Sequence, residues 1–312
     1  MSIDLSRLGW IDDPEAVAAS CERMGQAAYL ATARPTIAGA WKREKRFGAT
    51  GFFLWRGEEE LIGRQPSFHQ QIGSCVSMGT VRAIQDSYYT AIVWRSEIAK
   101  PMQFCTEPVY GGSRVEIGKG RLGKGDGSIG AWGAEWVHDY GLLPRGVYGK
   151  YDLRKLRDDL AVDWGRPGVG VPAELEALGK SHLVGSCHRC MTVEEIADAV
   201  ASGYAVAYCS NLIWSDTRNA KGICEVESSG GHCEEICGVC EVGGRLVFVR
   251  QNSWGNYLRG PDVLTYDGGT VQLREGSYGA WGDDVARGLR NGEAWAYGDV
   301  QPWRPESVEE MA

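Results

Sequence analysis

The amino-acid sequence predicts an α+β protein with a mainly helical first half and a mainly stranded second half. After Cys75, apolar residues such as Val81 and Ile84 recur at helical spacing, and no proline interrupts them. In the second half, short apolar runs alternate with glycine turns such as Gly243-Gly244, as in strands and hairpins. The 43 glycines and 12 tryptophans fit a chain with many turns and large flat packing surfaces. We therefore expect two lobes with a cleft between them.

The boundaries of the predicted elements follow from local signals. Asp13, Pro14 and Glu15 favour the first turn of a helix, and Thr192 and Gly203 bound another. In chain order, we predict helices over 14–30, 75–94, 131–140 and 192–201, strands over 51–55, 205–208, 233–242 and 246–249, and a glycine-rich loop over 105–130. Residues 1–64 form an N-terminal extension. Residues 65–312 form one domain, with a mainly helical lobe over 65–185 and a mainly β lobe over 186–312.

The composition restricts the class of protein. With 312 residues, the chain can bury a large core without covalent staples. Its formal net charge is −8, and the basic cluster at residues 42–46 contains an acid, so we expect no nucleic-acid partner. No apolar run is as long as a membrane span, so we expect no membrane partner. The N-terminus lacks the features of a secretory signal, which predicts a cytoplasmic protein whose ten cysteines are reduced and mostly buried.

Cys75 has the features of a nucleophilic cysteine. It starts the helix predicted over 75–94, where the helix dipole and free amide groups favour a thiolate. Gly73 and Ser74 leave the thiol unobstructed. Upstream, Gln70 and Gln71 offer side-chain amides to a developing oxyanion, and the backbone amide of Cys75 is a second donor. Taken alone, such a cysteine is more often a small buried hydrophobic residue, so the case depends on its partners.

Three segments in order resemble the papain family of cysteine peptidases. Residues 69–76, His-Gln-Gln-Ile-Gly-Ser-Cys-Val, look like the family's glutamine and Gly-Ser-Cys at the start of its central helix. Gly231-His232 and the apolar stretch after it are similar to the family's Gly-His strand. Residues 250–255, Arg-Gln-Asn-Ser-Trp-Gly, are similar to its Asn-Ser-Trp-Gly turn. The ordered combination is far more specific than any one segment.

The resemblance implies a papain-like two-lobe α+β fold, with a helical lobe, a β-barrel-like lobe and the active-site cleft between them. It implies a thiol-dependent peptidase that hydrolyses amide bonds of a polypeptide substrate, with no cofactor and no metal. Cys75 would attack the carbonyl, and His232 would pair with the thiolate and later protonate the leaving group. Asn252 would hold the imidazole, and Trp254 would shield that hydrogen bond from water.

The resemblance also implies binding roles. Either Gln71 or Gln70 would donate to the oxyanion. The family's glutamine stands six positions before the cysteine, where this chain has His69, and we prefer Gln71. Gly127 and Ser128, in the loop 125–128, look like the glycine-rich wall that pairs with the substrate backbone.

Several positions depart from the family pattern. Val76 stands where papain has tryptophan, and Ile72 where plant and lysosomal members have a disulfide cysteine. Glu234 and Glu235 place two acids soon after the histidine, where they could raise the pKa of the imidazole or occupy part of the cleft. The first 64 residues lack the family's helical inhibitory pro-segment. The closest likeness is to intracellular, bacterial or phage-encoded members.

Two other classes of function stay open. A structural or assembly protein could keep the papain-like scaffold, for instance as a component of a virus particle. Its partner would then be a large protein assembly, and its location the virion. A cell-wall amidase could use the same cysteine and histidine, although that class typically lacks the Asn-Ser-Trp-Gly turn.

Two Cys-x-x-Cys pairs raise a metal alternative. Cys187 and Cys190 could bind zinc together with Cys237 and Cys240, and Cys233 is a spare ligand. Because residues three apart on a strand face opposite sides, we instead predict structural burial. The histidines without an assigned partner are predicted to be structural or surface residues: His69, His138, His182 and His188.

Overall fold

The computed structural model describes residues 7–25, 38–95 and 99–300. The α-helices are α1 (Pro14–Met24), α2 (Ala40–Arg46), α3 (Trp55–Ile62), α4 (Cys75–Arg95), α5 (Glu107–Gly112), α6 (Gly130–Asp139), α7 (Asp158–Trp164), α8 (Ala173–Gly179), α9 (Val193–Ala201) and α10 (Gly282–Leu289). The strands are β1 (Gly51–Phe53), β2 (Val147–Tyr148), β3 (Tyr151–Asp152), β4 (Val184–Arg189), β5 (Val206–Trp214), β6 (Val226–Val242), β7 (Arg245–Gln251), β8 (Val263–Tyr266), β9 (Gly269–Gln272), β10 (Ser277–Trp281) and β11 (Glu293–Val300). Within these ranges, no helix combines the length and the apolar character needed to cross a membrane.

The main sheet is antiparallel and organised around the long strand β6. In the described part of the chain it has seven strands, in the order β10-β7-β6-β5-β11-β4, and β1 also pairs with β6. The first half of β6 pairs with β5, and the second half pairs with β7 and β1. The α+β prediction is confirmed, but the expected barrel-like lobe is an open sheet in these residues.

Helix α4 is the central helix of the fold. It begins at Cys75, as predicted, and runs for 21 residues. Its residues from Cys75 to Ala91 are buried, because the helix packs between the sheet, α3 and α6. A helix enclosed on all sides carries apolar residues around its whole circumference and gains its stability from packing.

Buried ion pairs join α4 to the elements around it. Arg82 donates to both carboxylate oxygens of Glu58, at 3.0 and 2.7 Å. Arg274 donates to both oxygens of Asp86, at 2.9 and 2.5 Å, and to Glu235 at 2.6 Å. Each of these five side chains is at least nine-tenths buried. Removing one partner of the Arg82–Glu58 or the Arg274–Asp86 pair would therefore leave an uncompensated buried charge.

The predicted N-terminal extension contributes directly to the core. Strand β1 pairs with β6, Glu58 lies in the buried ion-pair cluster, and α1 packs on α6. Helix α1 starts as predicted, with Asp13 accepting from the amide of Ala16 at 2.9 Å, and it ends before Gly25. The rest of that predicted helix, residues 26–30, lies outside the described residues. The division of the chain at residue 64 stays a prediction.

Two details of the predicted secondary structure are wrong. The strand predicted over 51–55 ends at Phe53, and Trp55 begins α3. The loop predicted over 105–130 contains α5 and a short π-helix, Ser113–Ile117. A side chain at Gly111 or Gly112 would collide with Trp164 or Trp136, so these glycines permit close helix packing rather than a turn. The helix predicted over 192–201 is confirmed, with Thr192 as its N-cap.

All ten cysteines are buried free thiols. The first Cys-x-x-Cys pair, Cys187 and Cys190, packs in the larger hydrophobic cluster. The second pair, Cys237 and Cys240, packs in a smaller one that also holds Ile223 and Leu264. The two pairs are therefore parts of separate cores.

Candidate functional site

The Cys75 thiol lies at the N-terminus of α4, buried below the surface. Burial raises the pKa of this thiol well above its usual value. Backbone N–H groups of Cys233, Gly9 and Val76 act in the opposite direction but do not outweigh burial. The sulfur is therefore protonated at neutral pH in this conformation.

The structure brings His232 and Asn252 together. His232 lies in the first half of β6, and Asn252 follows the last residue of β7. Imidazole Nε2 is 2.9 Å from Asn252 Oδ1. The backbone N–H of Ser253 also donates to Oδ1, at 2.7 Å, and Asn252 Nδ2 donates to the Tyr257 hydroxyl at 3.0 Å. These contacts fix the orientation of the amide, so Nε2 of the imidazole must be the protonated nitrogen.

The other imidazole nitrogen is left as an acceptor. Nδ1 of His232 is buried and has no hydrogen-bond partner among the described residues. Burial lowers the pKa of His232, against the raising effects of Glu234 and Asn252. Trp254 stacks on the ring with centroids 4.6 Å apart and covers the His232–Asn252 pair. The imidazole is thus neutral, oriented and able to take a proton on Nδ1, and it makes no hydrogen bond to the thiol here.

The two glutamines have different surroundings. Gln70 is buried, and its amide donates to the carbonyls of Arg7 at 2.5 Å and Ile72 at 2.7 Å. Ser253 donates to its carbonyl oxygen at 2.7 Å, which fixes the side chain next to the Asn252 turn. Gln71, which the sequence favoured, is exposed and donates weakly to the carbonyl of His69 at 3.4 Å. Of these two side-chain amides, that of Gln70 donates to the carbonyl of Arg7, which is distant in the sequence, whereas that of Gln71 donates to a carbonyl two residues away.

The two acids that follow His232 are engaged elsewhere. Glu234 forms a buried ion pair with Arg250 and accepts from the Tyr278 hydroxyl at 2.7 Å. Glu235 lies in the buried cluster around Arg274. Because both carboxyl groups are bound by buried partners, neither is free to fill the space beside the imidazole.

Residues 7–11, called here the N-terminal strap, lie across the site, and Trp10 forms a β-bridge with Ser128. The N–H groups of Gly9 and Trp10 both donate to the carbonyl of Gly231 at 3.1 Å. The Ser128 N–H donates to the Gly9 carbonyl at 2.7 Å, and the Ile11 N–H donates to the Ser128 carbonyl at 2.9 Å. The strap therefore pairs with Ser128 in the parallel direction.

The strap packs closely against two segments, the one before His232 and the one before Cys75. A Cβ at Gly231 would collide with the Trp10 carbonyl, so a glycine before His232 makes room for the strap backbone. A Cβ at Gly9 would collide with the carbonyl of Gly73, two residues before the thiol. The strap thus lies over Cys75, and the N–H of Gly9 is within hydrogen-bonding reach of its sulfur.

The Trp10 side chain anchors the strap in a closed pocket. Its Nε1 donates to Glu293 Oε1 at 2.8 Å. Glu293 also accepts from the N–H groups of Gly130 and Ala131, at 3.1 and 2.7 Å, and from Nε1 of Trp295 at 3.0 Å. Glu293 therefore serves two purposes: it binds the start of α6 and it binds the strap.

The loop that contains Gly127 and Ser128 is held rigidly. Asp126 accepts from the N–H of Gly73 at 2.6 Å and of Gly127 at 2.8 Å, and from the hydroxyl of Tyr110. Buried Arg114 donates to the carbonyls of Gly125 and Gly127. Asp126 thus connects the loop to the turn before Cys75.

Comparison with known proteins supports the fold. No family model matches the chain, and no curated protein matches it in sequence. Xylellain, a cysteine protease from Xylella fastidiosa, is similar in structure with a TM-score of 0.52 and 13% identity, over 96% of this chain and 94% of that chain. The proCathepsin B S9 from Trypanosoma congolense gives 0.48 and 11%, over 82% and 80%. Digestive procathepsin L 3 of Tenebrio molitor larval midgut gives 0.44 and 13%, over 89% and 78%.

The first of these similarities defines the class of fold. The chain has the papain-like α+β fold, which it shares with a cysteine protease. At this identity the likeness concerns the fold.

Sequence reasoning missed the strap and its pocket. The strap has five residues and no periodic pattern, and its partners Ser128, Gly231 and Glu293 are far away in the sequence. A tryptophan next to a glycine, ahead of the helix starting at Pro14, was the available signal. Such a signal is too common to identify a cleft-binding segment.

Proposed function

We propose that the chain is a thiol peptidase that hydrolyses peptide bonds with Cys75, His232 and Asn252. The observation that carries the proposal is the strap: a polypeptide segment, held through its backbone N–H and C=O groups, lies beside the thiol. A groove that binds a polypeptide backbone next to a cysteine and an oriented imidazole has the parts needed for peptide hydrolysis. The papain-like fold is consistent with this assignment.

The proposed reaction starts with proton transfer. Nδ1 of His232 accepts the proton of Cys75 once the strap has left and the two groups meet, since catalytic hydrogen bonds often form only in the substrate complex. The thiolate attacks the substrate carbonyl carbon, and the backbone N–H of Cys75 and the Gln70 amide donate to the oxyanion. We assign this role to Gln70 because it is buried and already donates to the Arg7 carbonyl.

The reaction is completed by two transfers. Imidazolium Nδ1–H protonates the leaving amine, so the C–N bond breaks and an acyl-thioester remains on Cys75. Water, deprotonated by the same nitrogen, then attacks the thioester, which releases the acid and the thiol. Asn252 keeps the ring in the required tautomer throughout, and Ser128 and Gly231 pair with the substrate backbone.

The test uses full-length protein with the strap weakened by Trp10→Ala. We expect this variant to cleave an unstructured polypeptide, and a thiol-directed epoxide to add one adduct to Cys75 by mass spectrometry. Cys75→Ser in the same background should abolish both signals. An accessible Cys75 that gives neither cleavage nor an adduct would contradict the proposal.

A structural or assembly protein that keeps the scaffold is the second candidate. It is favoured by the raised pKa of Cys75 and by the missing hydrogen bond between its thiol and His232 in the described residues. Recovery of the chain at fixed stoichiometry in a large particle, with no cleavage by Trp10→Ala, would support it. The phage-type origin, the virion location and the cytoplasmic location remain predictions from the sequence.

A further inference from the structure

Three buried thiols lie next to one another at the candidate site. Cys75 begins α4, Cys233 directly follows His232 in β6, and Cys209 is the residue of β5 that pairs with Cys233. All three are free thiols, and none is more than 1% exposed. The thiols of Cys209 and Cys233 are within hydrogen-bonding distance of each other. The reaction proposed above uses only Cys75, so it leaves the other two sulfurs without a role.

Cys233 contacts Cys75 through its backbone. The N–H of Cys233 donates to the sulfur of Cys75. The sulfur of Cys233 packs against α4, because a Cβ at Gly79 would lie 2.9 Å from it. Gly79 follows Cys75 by four residues, so the two positions share one face of the helix. The side chain of Cys233 therefore lies over the face of α4 that carries the candidate nucleophile.

We expect a change of one side-chain rotamer to bring the two sulfurs together. The sulfur of Cys75 already contacts the N–H of Cys233, and the Cα–Cβ bond of Cys233 has three staggered positions. The position that turns the Cys233 sulfur away from Gly79 and toward its own N–H also turns it toward Cys75. The geometry thus gives the candidate nucleophile a neighbouring thiol as a partner.

We propose that Cys75 and Cys233 are a reversible redox pair, in which hydrogen peroxide oxidises Cys75 and the thiol of Cys233 converts the product into a disulfide. This modification site goes beyond peptide hydrolysis and does not depend on it. It requires only that Cys75 forms a thiolate when the strap is displaced, because the thiolate is the form that reacts with peroxide.

The proposed chemistry has two steps. The Cys75 thiolate attacks one oxygen of hydrogen peroxide, so the S–O bond forms, the O–O bond breaks, and the hydroxide released takes up the thiol proton as water. Cys75 is then a sulfenic acid, whose sulfur has lost two electrons to the peroxide. The sulfur of Cys233 next attacks the Cys75 sulfur, so the S–S bond forms and the S–O bond breaks. The thiol proton of Cys233 leaves with this hydroxide as a second water.

The disulfide would protect the candidate nucleophile from irreversible oxidation. Without a partner thiol, excess peroxide oxidises a sulfenic acid further to a sulfinic acid, which ordinary thiols do not reduce. A disulfide between Cys75 and Cys233 is instead returned to two thiols by exchange with a small dithiol. Cys233 thus stops the oxidation of Cys75 at a level from which the site can be recovered.

The experiment follows the oxidation of the full-length chain by mass spectrometry. Reduced Trp10→Ala is treated with a small excess of hydrogen peroxide, and the remaining thiols are blocked with iodoacetamide. We expect a loss of two hydrogen atoms and a linked pair of peptic peptides that contain Cys75 and Cys233. Dithiothreitol should then restore alkylation of Cys75. The wild type, treated in parallel, should form the same link more slowly, because the strap lies over the sulfur.

Cys233→Ser tests the role of the second thiol. Serine keeps a hydroxyl of similar size but cannot form a disulfide. Peroxide should then add two oxygen atoms to Cys75, and the fraction of Cys75 that dithiothreitol restores should fall at least roughly tenfold. Cys233→Ala should give the same result, which distinguishes the loss of the thiol from a folding defect of one variant. The matched control is Cys240→Ser, at a buried thiol of the smaller hydrophobic cluster, which should oxidise like its parent.

The outcomes separate the redox pair from the peptidase proposal, because none of these measurements is of cleavage. A chain that cleaves peptides but gives no link between Cys75 and Cys233 keeps the peptidase and overturns the redox pair. A link in a chain that cleaves nothing supports the pair by itself. A link from Cys233 to Cys209 in place of Cys75, or full recovery of Cys75 in Cys233→Ser, would also overturn the pair.

Discussion

Imidazole Nε2 of His232 lies 2.9 Å from Oδ1 of Asn252, although 20 residues separate them in the chain. The antiparallel register of β6 and β7 produces this contact. Gln251 pairs with Glu235, so the chain leaving β7 at Asn252 continues along β6 toward His232. The Asn252 amide is in turn fixed by Ser253 and Tyr257, which leaves the imidazole one tautomer.

Replacing Asn252 by alanine should therefore impair the imidazole rather than the fold. The hydrogen bond that His232 Nε2–H donates to Asn252 Oδ1 raises the pKa of His232, so in Asn252→Ala we expect that pKa to fall further. We expect kcat/KM to drop roughly tenfold to a hundredfold, because the ring is no longer held in one orientation. The pH–rate profile in the Trp10→Ala background checks both effects. Asn256→Ala, at the exposed neighbouring asparagine, is the control and should change neither.

The protonation of Cys75 predicts how alkylation depends on pH. Burial raises the pKa of the thiol, so the reactive thiolate is scarce at neutral pH and increases as the pH rises. In the wild type, the alkylation rate should still be climbing at the alkaline end of the accessible range. In Trp10→Ala, water reaches the sulfur, and the whole profile should shift to lower pH. Identical profiles would mean that the strap does not cause the burial.

Arg274 should be important for stability because three buried carboxyl groups surround it. In Arg274→Met, Asp86 and Glu235 lose their partner, and we expect the free energy of unfolding to fall by about 3–5 kcal/mol. Urea denaturation at neutral pH measures the loss. Arg245→Met is the matched control, since Arg245 pairs with Asp283 at the surface, and such pairs contribute about 0–1 kcal/mol.

The same cluster predicts a pH dependence of stability. Burial would raise the pKa of Asp86, but Arg274 and Arg82 lower it below its usual value. A depressed carboxyl pKa stabilises the fold above the ordinary pKa of an aspartate, and this contribution disappears as the pH falls through the native value. The loss caused by Arg274→Met should therefore be largest at neutral pH and should shrink below about pH 4. A loss that is constant with pH would contradict the assignment.

The pKa of Glu235 is shifted in the opposite direction to that of Asp86, so its effect on stability should also be opposite. Burial and the neighbouring Asp86 raise its pKa well above the usual range, so this group favours its protonated form in the folded protein. Glu235→Gln replaces a neutral acid by a neutral amide of similar shape. We expect its unfolding free energy at neutral pH to stay within about 1 kcal/mol of the wild type or to rise, because the unfolded-state ionisation that opposes folding is removed. Chemical denaturation of Glu235→Gln and Glu235→Ala side by side checks this, since only the alanine leaves a cavity.

Asp126 should affect substrate binding through the loop that it holds. In Asp126→Ala, the amides of Gly73 and Gly127 lose their acceptor, and the loop is released from the turn before the thiol. We expect KM to rise roughly tenfold with a smaller change in kcat, because Ser128 pairs with the substrate backbone. Asp163→Ala, at an exposed ion pair with Arg166, is the control. A change in kcat without a change in KM would contradict the prediction that Asp126 acts on substrate binding.

The sequence was most informative where the signal is local and ordered. Cys75 at a helix start, His232 in a strand and Asn252 in a turn were all predicted in those settings, and the papain-like fold followed from their order. The helix at 192–201 was predicted because its cap and stop lie within a dozen residues. The loop predicted over 105–130 was wrong because glycines that permit close helix packing cannot be distinguished in a sequence from glycines that form turns.

By itself, then, the sequence determined which residue types stand at the ends of which elements. Only the tertiary structure decided that Gln70 rather than Gln71 is buried, that Glu234 and Glu235 bind Arg250 and Arg274, and that residues 7–11 lie over Cys75. The physical reason is that each of these facts depends on contacts between segments far apart in the chain. Hydrogen bonds between such segments, including the 283-residue separation of Trp10 and Glu293, leave no periodic trace in the sequence.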